Sequence, residues 1–266
     1  MGIRWASIGT GKMAYAIFSR AAQCGHIAKG EICFADCDTQ RLAHLSSQGY
    51  IIAADNREAA RAADLIMLGV RPRQVSDALA GISEEMRGKT LVSIAAGISS
   101  AFLRSLLPPS ASVVRLMPNL PMLVGCGACA LALPASAPAA HLDDIRALLR
   151  CSGELYELPE ERINAVTALS GSGPGYFFRI ASVMCGQAEE MGIDRATAQA
   201  ILSQTMLGAA RMLAQSAANP SDLAREVAVV GGTTEAAFAA FDKHSLDTAI
   251  AEGMRQCAAR AAELGQ

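Results

Sequence analysis

The sequence has no run of basic residues, no long apolar segment and few lysines. Its 23 Lys and Arg are offset by 25 Asp and Glu, for a net charge of −2, which argues against a surface for nucleic acid or for an anionic membrane. No apolar signal region follows the first five residues, so we expect no signal peptide. Every apolar run is interrupted before about 18 residues, so we expect no membrane-spanning helix. These absences favour a cytoplasmic protein.

The eight cysteines show no pattern typical of a metal site or a disulfide framework. Cys126 and Cys129 form a lone C-x-x-C, with no second pair and no histidine nearby. A zinc or redox role therefore ranks below reduced thiols packed as small apolar side chains, and we predict no metal site. The 52% hydrophobic content leans on alanine and is typical of helices that are apolar on most faces.

A glycine-rich motif lies near the start of the chain. An apolar run over residues 3–8 is followed by Gly9-Thr10-Gly11-Lys12-Met13-Ala14 and then by a helical pattern to about residue 24. In a strand–turn–helix context, such glycines let the backbone approach a pyrophosphate, which rests on the helix N-terminus. The motif predicts binding of NADH or NADPH. The alternative is a tight strand-to-helix turn without a ligand.

Two acidic residues follow the second predicted strand, at residues 31–35. Asp36 lies at the distance from the glycines at which an acidic residue bonds the adenosine ribose hydroxyls. Asp36 and Asp38 would both repel a 2′-phosphate, so charge alone favours NADH over NADPH. Arg41, one turn into the next helix, keeps NADPH open. Asp38 is equally suited to capping the helix predicted at residues 39–47.

Strand and helix patterns continue to alternate through the first half of the chain. Strands are predicted over residues 50–53, 65–70, 90–94, 112–117 and 154–158, and helices over 56–62, 73–81 and 141–151. This alternation predicts a parallel doubly wound sheet, whose ligands bind beyond the carboxyl ends of the strands. Val70-Arg71-Pro72, Ala95-Ala96-Gly97 and Met117-Pro118-Asn119 lie at such ends, although Arg71 taken alone is equally consistent with a solvated surface charge.

The second half of the chain has a different pattern of apolar residues, because no strand pattern occurs after residue 160. Apolar residues recur there at helical spacing, and there are more of them than one small domain needs for its core. We therefore predict an α/β N-terminal Rossmann-type domain over residues 1–159 and a C-terminal all-α domain over residues 160–266. The helical domain is expected to form a homodimer.

A second glycine-containing loop lies in the helical half. Gly231-Gly232-Thr233-Thr234 precedes an Ala- and Phe-rich helical pattern. A helix N-terminus offers unpaired N–H groups and partial positive charge, so it can hold a carboxylate. The threonine hydroxyls both donate and accept, which suits a ligand with an imine beside its carboxylate. The alternative is an ordinary glycine turn with a threonine cap.

Taken together, these segments resemble the pyrroline-5-carboxylate reductase family over essentially the whole chain. The order and spacing carry the resemblance, through residues 8–14, Val70-Arg71-Pro72, residues 93–99, residues 113–119, Ser170-Gly171-Ser172-Gly173-Pro174 and Gly231-Gly232-Thr233-Thr234. The family implies a Rossmann-type domain, a helical dimerisation domain and larger rings of dimers, such as a homodecamer. It also implies that the substrate lies under the second loop, facing the nicotinamide.

The resemblance assigns the site residues. Thr234 matches the catalytic threonine that bonds the ring nitrogen, and Gly232 and Thr233 match residues whose amides bind the substrate carboxylate. The implied substrate-binding set is Gly231, Gly232, Thr233, Thr234, Ser172 and Gly173. The cofactor-binding set is Ile8, Gly9, Thr10, Gly11, Lys12, Met13, Ala14, Asp36, Asn56, Val70, Arg71, Pro72, Ala95, Ala96 and Asn119.

The implied reaction is hydride transfer from NADH or NADPH to the C=N carbon of 1-pyrroline-5-carboxylate, which gives L-proline in the last step of proline biosynthesis. A protonated imine is already electrophilic, so no strong general acid is needed. β-Hydroxyacid dehydrogenases share the two-domain layout but resemble one another in a proton-donating lysine on the first helix of the second domain. This sequence has no lysine between Lys89 and Lys243, which argues against alcohol oxidation.

Three departures from the family pattern lie near the implied pocket. Leu120 stands where threonine is usual, Val229-Val230 where Ser-Pro is usual, and Ala217 where an acidic residue is expected. They leave two alternatives open. One is a reductase of a related cyclic imino acid, for example a six-membered ring, and the other is a cofactor-binding paralogue that has lost catalysis.

Overall fold

The computed structural model describes residues 2–133 and 135–265. Its contacts divide the chain into two compact units, Met1–Pro174 with Gln256–Gln266, and Gly175–Arg255. Residues 160–174 and the end of the chain thus belong with the first unit, whereas the sequence suggested a boundary at residue 160. The boundary of the functional domains stays a prediction.

The first unit is built on alternating strands and helices. Within the described residues the strands form one eight-stranded sheet in the order β3-β2-β1-β4-β5-β6-β7-β8. Strands β1 to β6 are parallel, β7 runs antiparallel to β6, and β8 is parallel to β7. The elements are β1 (Trp5–Ile8), α1 (Lys12–Gln23), β2 (Ile32–Ala35), α2 (Thr39–Ser47), β3 (Ile51–Ile52), α3 (Asn56–Ala62), β4 (Leu65–Leu68), α4 (Val75–Ala80), β5 (Thr90–Ser93), α5 (Ser100–Ser105), β6 (Ser112–Met117), β7 (Gly127–Leu133), α6 (Ala139–Arg150), β8 (Gly153–Pro159) and α7 (Ile163–Val166).

The structure corrects the expectation of a purely parallel sheet. The sequence did not predict β7, because its Gly-Ala-Cys-Ala-Leu-Ala-Leu sequence is poor in β-branched and aromatic residues. Pairing on both sides, with β6 and β8, makes this segment a strand. The short helix α5 was also missed. It begins at a Ser99 cap whose hydroxyl accepts the Phe102 N–H at 3.1 Å.

Two apolar clusters cover the faces of the sheet. Along β1, Trp5 belongs to one cluster and Ala6 and Ile8 to the other, as expected where successive side chains of a strand point to opposite faces. Edge-to-face contacts extend the first cluster from Trp5 through Phe18 and Phe34 to Tyr50, with ring centroids 5.1–5.7 Å apart. Burial on both faces is typical of a parallel sheet and leaves its carboxyl edge as the place for a ligand.

The C-terminal half is helical, as predicted. Its helices are α8 (Gly173–Glu190), α9 (Arg195–Gln215), α10 (Pro220–Val227), α11 (Thr233–Lys243) and α12 (Leu246–Glu263). The second unit, Gly175–Arg255, exposes large apolar side chains, among them Phe178, Val183 and Met191 at 62%, 68% and 75%. Among the described helices, none has the length and apolar character needed to cross a membrane.

Candidate active site

The turn after β1 and the turn after β4 approach each other closely. Gly9 has φ +89°, and a Cβ on it would lie 2.8 Å from the carbonyl carbon and oxygen of Gly69. A Cβ on Gly69 would lie 3.0 Å from the Gly9 oxygen and 3.1 Å from the Ala14 methyl group. A side chain is therefore excluded at Gly9, whereas at Gly69 a Cβ would fit only if its neighbours shifted by a few tenths of an ångström. This contact and the positive φ require glycine at residue 9, the first glycine of the motif.

Asp36, at the carboxyl end of β2, holds the glycine-rich turn in place. Its Oδ2 accepts hydrogen bonds from both the N–H and the hydroxyl of Thr10, each at 2.6 Å, and its Oδ1 accepts the Asp38 N–H at 3.0 Å. Burial alone would raise the pKa of Asp36, but these hydrogen bonds outweigh burial and hold the pKa below its ordinary 3.8. The side chain is therefore ionised and fixed at neutral pH.

A cavity of about 1110 Å³ lies at the carboxyl ends of β1, β2 and β4 in the first unit. Predicted cofactor residues line much of it, namely Ile8, Gly9, Gly11, Lys12, Asp36, Asn56, Val70 and Arg71. Helix α1 begins at Lys12, and its N-cap residue Gly11 offers no side-chain cap. The first amides of this helix therefore remain available to an anion. A dinucleotide fits the size and the chemistry of this wall.

Besides Asn119, six further predicted cofactor residues do not line this cavity. Thr10 is bonded to Asp36, and Ala14 is fully buried against Gly69. Ala95 is buried behind β5, and Ala96 packs on a small apolar cluster that contains Met117 and Ile163. The remaining two are Met13, which is half-buried in α1, and Pro72, which begins a 3₁₀ turn after Arg71.

Asn119 is a structural connector in the first unit. Its Oδ1 accepts the Ala128 N–H at 2.9 Å, and its Nδ2 donates to the Ser170 hydroxyl at 3.0 Å. Asn119 is 8% exposed, and its network joins the end of β6 to β7 and to the segment before α8. The carboxamide is thus engaged within the protein, and the role of Asn119 in cofactor binding stays a prediction.

Two predicted substrate residues lie in the first unit at the start of α8. The Ser172 hydroxyl contacts the Cys257 thiol at 3.1 Å, and its N–H donates to the Thr167 carbonyl at 2.8 Å. Gly173 is buried as the first residue of α8. Their roles in substrate binding stay predictions.

The predicted substrate loop lies in the second unit at the N-terminus of α11. Gly231 has φ +75°, and its N–H donates to Glu235 Oε2 at 2.7 Å. The Gly232 amide, predicted to bind a carboxylate, donates instead to the Val229 carbonyl at 2.9 Å, because the tight turn brings these two groups together. The helix geometry leaves the amides of Thr233, Thr234 and Glu235 without intrahelical acceptors.

Neither threonine hydroxyl at this N-terminus has a hydrogen bond to the described part of the chain. Gly232 is the N-cap residue and supplies no side-chain cap. A ligand with one carboxylate and one nitrogen therefore meets free amides and free hydroxyls on the same helical turn. Val230, which departs from the family pattern, is 95% exposed beside this turn.

Gly69 is a site residue that the sequence reading missed. The strand was predicted to continue to residue 70, whereas β4 ends at Leu68 and Gly69 begins the turn. The sequence feature that could have identified this turn is a glycine between an apolar strand and Arg71-Pro72. The cavity wall also includes Cys37, Gln74 and Asp77, and no motif identified them.

The two cysteines of the C-x-x-C segment lie in different environments. Cys129 is buried within β7, where burial raises the pKa of its thiol to about 12, and Cys126 is exposed. Both thiols are free. Cys129 lies inside β7 and Cys126 lies just before this strand.

Comparison with known proteins matches both parts of the chain. Residues 160–264 match the sequence model for pyrroline-5-carboxylate reductase dimerisation, and residues 4–97 match that of coenzyme F420-dependent NADP oxidoreductases. The pyrroline-5-carboxylate reductase of Pseudomonas aeruginosa is 35% identical over 99% of this chain and 97% of its own length. That of Haemophilus influenzae is also 35% identical, over 97% and 96%.

Solved structures agree with these relatives. A pyrroline-5-carboxylate reductase from Coxiella burnetii has a TM-score of 0.87 at 28% identity, with all of both chains covered. The Plasmodium falciparum enzyme with NADP bound has a TM-score of 0.90 at 22% identity, over 99% of this chain and 98% of its own, and shows the shared fold. The fold, the full-length identity and the dimerisation match show that this chain belongs to the pyrroline-5-carboxylate reductase family.

Proposed function

We propose that this chain reduces 1-pyrroline-5-carboxylate to L-proline with NADH or NADPH as the hydride donor. The observation that carries the proposal is the 35% identity to a pyrroline-5-carboxylate reductase over nearly the full length of both chains. The large cavity at the carboxyl edge of the sheet supports the cofactor part. The free amides and hydroxyls at the start of α11 support the substrate part.

The chain's contribution to the cofactor is binding and orientation. Gly9 and Gly69 bring two backbone turns together, and the amides at the start of α1 face the cavity where a pyrophosphate would rest. Asp36 supplies a fixed carboxylate for a ribose hydroxyl. NAD(P)H supplies the hydride when bound, so the protein has to hold the two reacting carbons in line.

The chain's contribution to the substrate is recognition at two points. The amides of Thr233, Thr234 and Glu235 hold the carboxylate, assisted by the helix dipole. The Thr234 hydroxyl bonds the ring nitrogen and so fixes the orientation of the C=N group. No acid with a raised pKa is required for this role, because the iminium carbon is electrophilic without further protonation.

The assembly and the location are further parts of the proposal. The exposed Phe178, Val183 and Met191 support a homodimer through residues 160–266, with residues 1–159 as the cofactor domain. Rings of such dimers, as in a homodecamer, follow from the family resemblance. Eight free cysteines are in keeping with a reducing compartment, and we place the enzyme in the cytoplasm.

The test is absorbance at 340 nm with 1-pyrroline-5-carboxylate, run in parallel with NADH and with NADPH. Rapid oxidation of either cofactor, with proline as the product, is expected. The six-membered homologue of the imine is the comparison substrate. A higher kcat/KM for that ring, or cofactor binding without any turnover, would contradict the proposal and would place the cause at Leu120, Ala217 or Val229-Val230.

Replacing Thr234 by alanine is expected to lower kcat/KM for the imine about ten- to hundredfold, because one hydrogen bond to a charged group is lost. The dissociation constant of the cofactor should stay unchanged. Steady-state kinetics and cofactor titration measure the two quantities separately. Thr234→Ser keeps the hydroxyl and should restore most of the activity. Equal loss in the serine and alanine variants would show that the hydroxyl has no such role.

A further inference from the structure

Three charged side chains form a cluster on one wall of the cofactor cavity. Asp36 ends β2, Asp38 caps α2 by accepting the Arg41 N–H at 3.0 Å, and Arg41 projects from the first turn of that helix. All three line the cavity. Asp36 and Asp38 follow the second strand, where a Rossmann-type fold meets the adenosine ribose.

The Asp36 carboxylate is fixed in position and in charge. Its side chain is 10% exposed, and it accepts hydrogen bonds from Thr10 and from the Asp38 amide. A group held by such donors cannot turn away from an incoming anion or take up a proton near neutrality. The strand end therefore presents a permanent negative charge to the ribose.

Arg41, the side chain that would favour a phosphate, is already paired. Its guanidinium lies 3.6 Å from Asp36 Oδ2 and 3.3 Å from Asp38 Oδ2. In the described part of the chain, it is the one cation within ion-pair distance of either carboxylate. Two carboxylates with one guanidinium leave a net negative cluster. Both carboxylates compete with any phosphate for Arg41.

We propose that Asp36, Asp38 and Arg41 make this chain selective for NADH over NADPH. The inference rests on the proposed function only for the identity of the cofactor. A ribose hydroxyl donates to the fixed carboxylate, whereas a 2′-phosphate meets a like charge and must compete with two carboxylates for Arg41. Arg41 acts as a clamp on the two carboxylates rather than as a phosphate ligand.

The first test measures binding to the full chain without any imine. Quenching of Trp5, the single tryptophan, follows titration with NADH and with NADPH, and calorimetry repeats the comparison with ADP-ribose and its 2′-phosphate. NADH and ADP-ribose should each bind at least about tenfold more tightly than their phosphorylated counterparts. Equal affinities, or tighter binding of the 2′-phosphates, would overturn the inference.

The second test removes the charges one at a time. Asp36→Asn keeps an acceptor for Thr10 and should raise the NADPH-to-NADH affinity ratio about tenfold. Asp77→Asn is the matched control, since Asp77 lines the same cavity from α4 and is not a member of the ion pairs of Arg41, and it should shift the ratio less than about threefold. Equal shifts in the two variants would mean that the general field, and not this cluster, sets the preference.

The third test concerns Arg41. In the double variant Asp36→Asn with Asp38→Ser, which keeps a helix cap, the guanidinium is released and NADPH should bind more tightly than NADH. Adding Arg41→Ala should remove that gain. If the gain persists without Arg41, the assignment of the clamp is wrong.

The outcomes separate this inference from the proposed function. Preferential NADH binding without imine reduction would refute the function and leave the selectivity intact. Imine reduction with NADPH binding as tightly as NADH would support the function and refute the selectivity.

Discussion

Replacing Gly9 by alanine is expected to weaken cofactor binding about a hundredfold in a protein that still folds. The Cβ would lie 2.8 Å from the Gly69 carbonyl group, and the residue would have to keep a φ of +89°. Both neighbours are backbone, so neither can rotate aside. The turn must move, and a displacement of about 1 Å at a binding loop is enough for a loss of about a hundredfold in affinity.

The same change should lower the free energy of unfolding by at least about 2 kcal/mol, the sum of left-handed strain and the backbone contact. Thermal unfolding should show a decrease of roughly 4–8 °C, and a fluorescence titration with NADH should show the lost affinity.

Gly30→Ala is the matched control for Gly9→Ala. Gly30 has no positive φ, and a Cβ on it would have no neighbour within 4 Å. Its stability should stay within about 0.5 kcal/mol of the parent, with unchanged cofactor affinity. Parent-like cofactor affinity in Gly9→Ala would show that this turn does not carry the pyrophosphate.

Replacing Glu160 by glutamine should destabilise the protein by about 3 kcal/mol, because it leaves a buried cation without an anion. The Arg115 side chain is 5% exposed, its Nη1 lies 3.2 Å from Glu160 Oε1, and its Nη2 donates to Asn164 at 3.4 Å. Burial lowers the pKa of Arg115, and the Glu160 carboxylate opposes that effect. Thermal unfolding should shift downwards by roughly 6–12 °C.

Glu157→Gln is the matched control, because Glu157 makes a two-point pair with Arg146 at 2.7 and 3.1 Å. Both side chains of that pair are about one-third exposed, so its loss should cost about 1 kcal/mol or less. Equal losses in the two variants would show that burial of Arg115 does not govern the cost.

The effect of Glu160→Gln should depend on pH. Burial would raise the pKa of Glu160, but hydrogen bonds from Ser100 and the pairing with Arg115 hold it below its ordinary 4.5. A lowered folded-state pKa stabilises the protein fully above the unfolded value and is lost as the pH falls through the folded value. The difference between parent and variant should therefore be complete at pH 6 and above, and should shrink below pH 4.5.

The helices and strands that were predicted accurately are defined by residues close to them in the sequence. The boundaries of α2, α3 and β6 agree with the predicted ranges, since side-chain caps at Asp38 and Asp55 and a buried apolar run define them. The glycine-rich turn and Asp36 were likewise recognised from local order and spacing, and the structure brings them together through Thr10.

The sequence alone thus determined the α/β first half, the helical second half and the family, and it identified several residues of the cavity wall, because each follows from periodicity, capping or motif within a short stretch. Only the tertiary structure decided the direction of β7, the close approach of Gly9 and Gly69 and the capture of the Gly232 amide by Val229. It also decided that Arg41 serves two carboxylates. Each of these features depends on which groups come within about 3 Å of one another, the distance at which hydrogen bonds form and steric clashes begin. Packing of the folded chain decides that, and the local sequence does not.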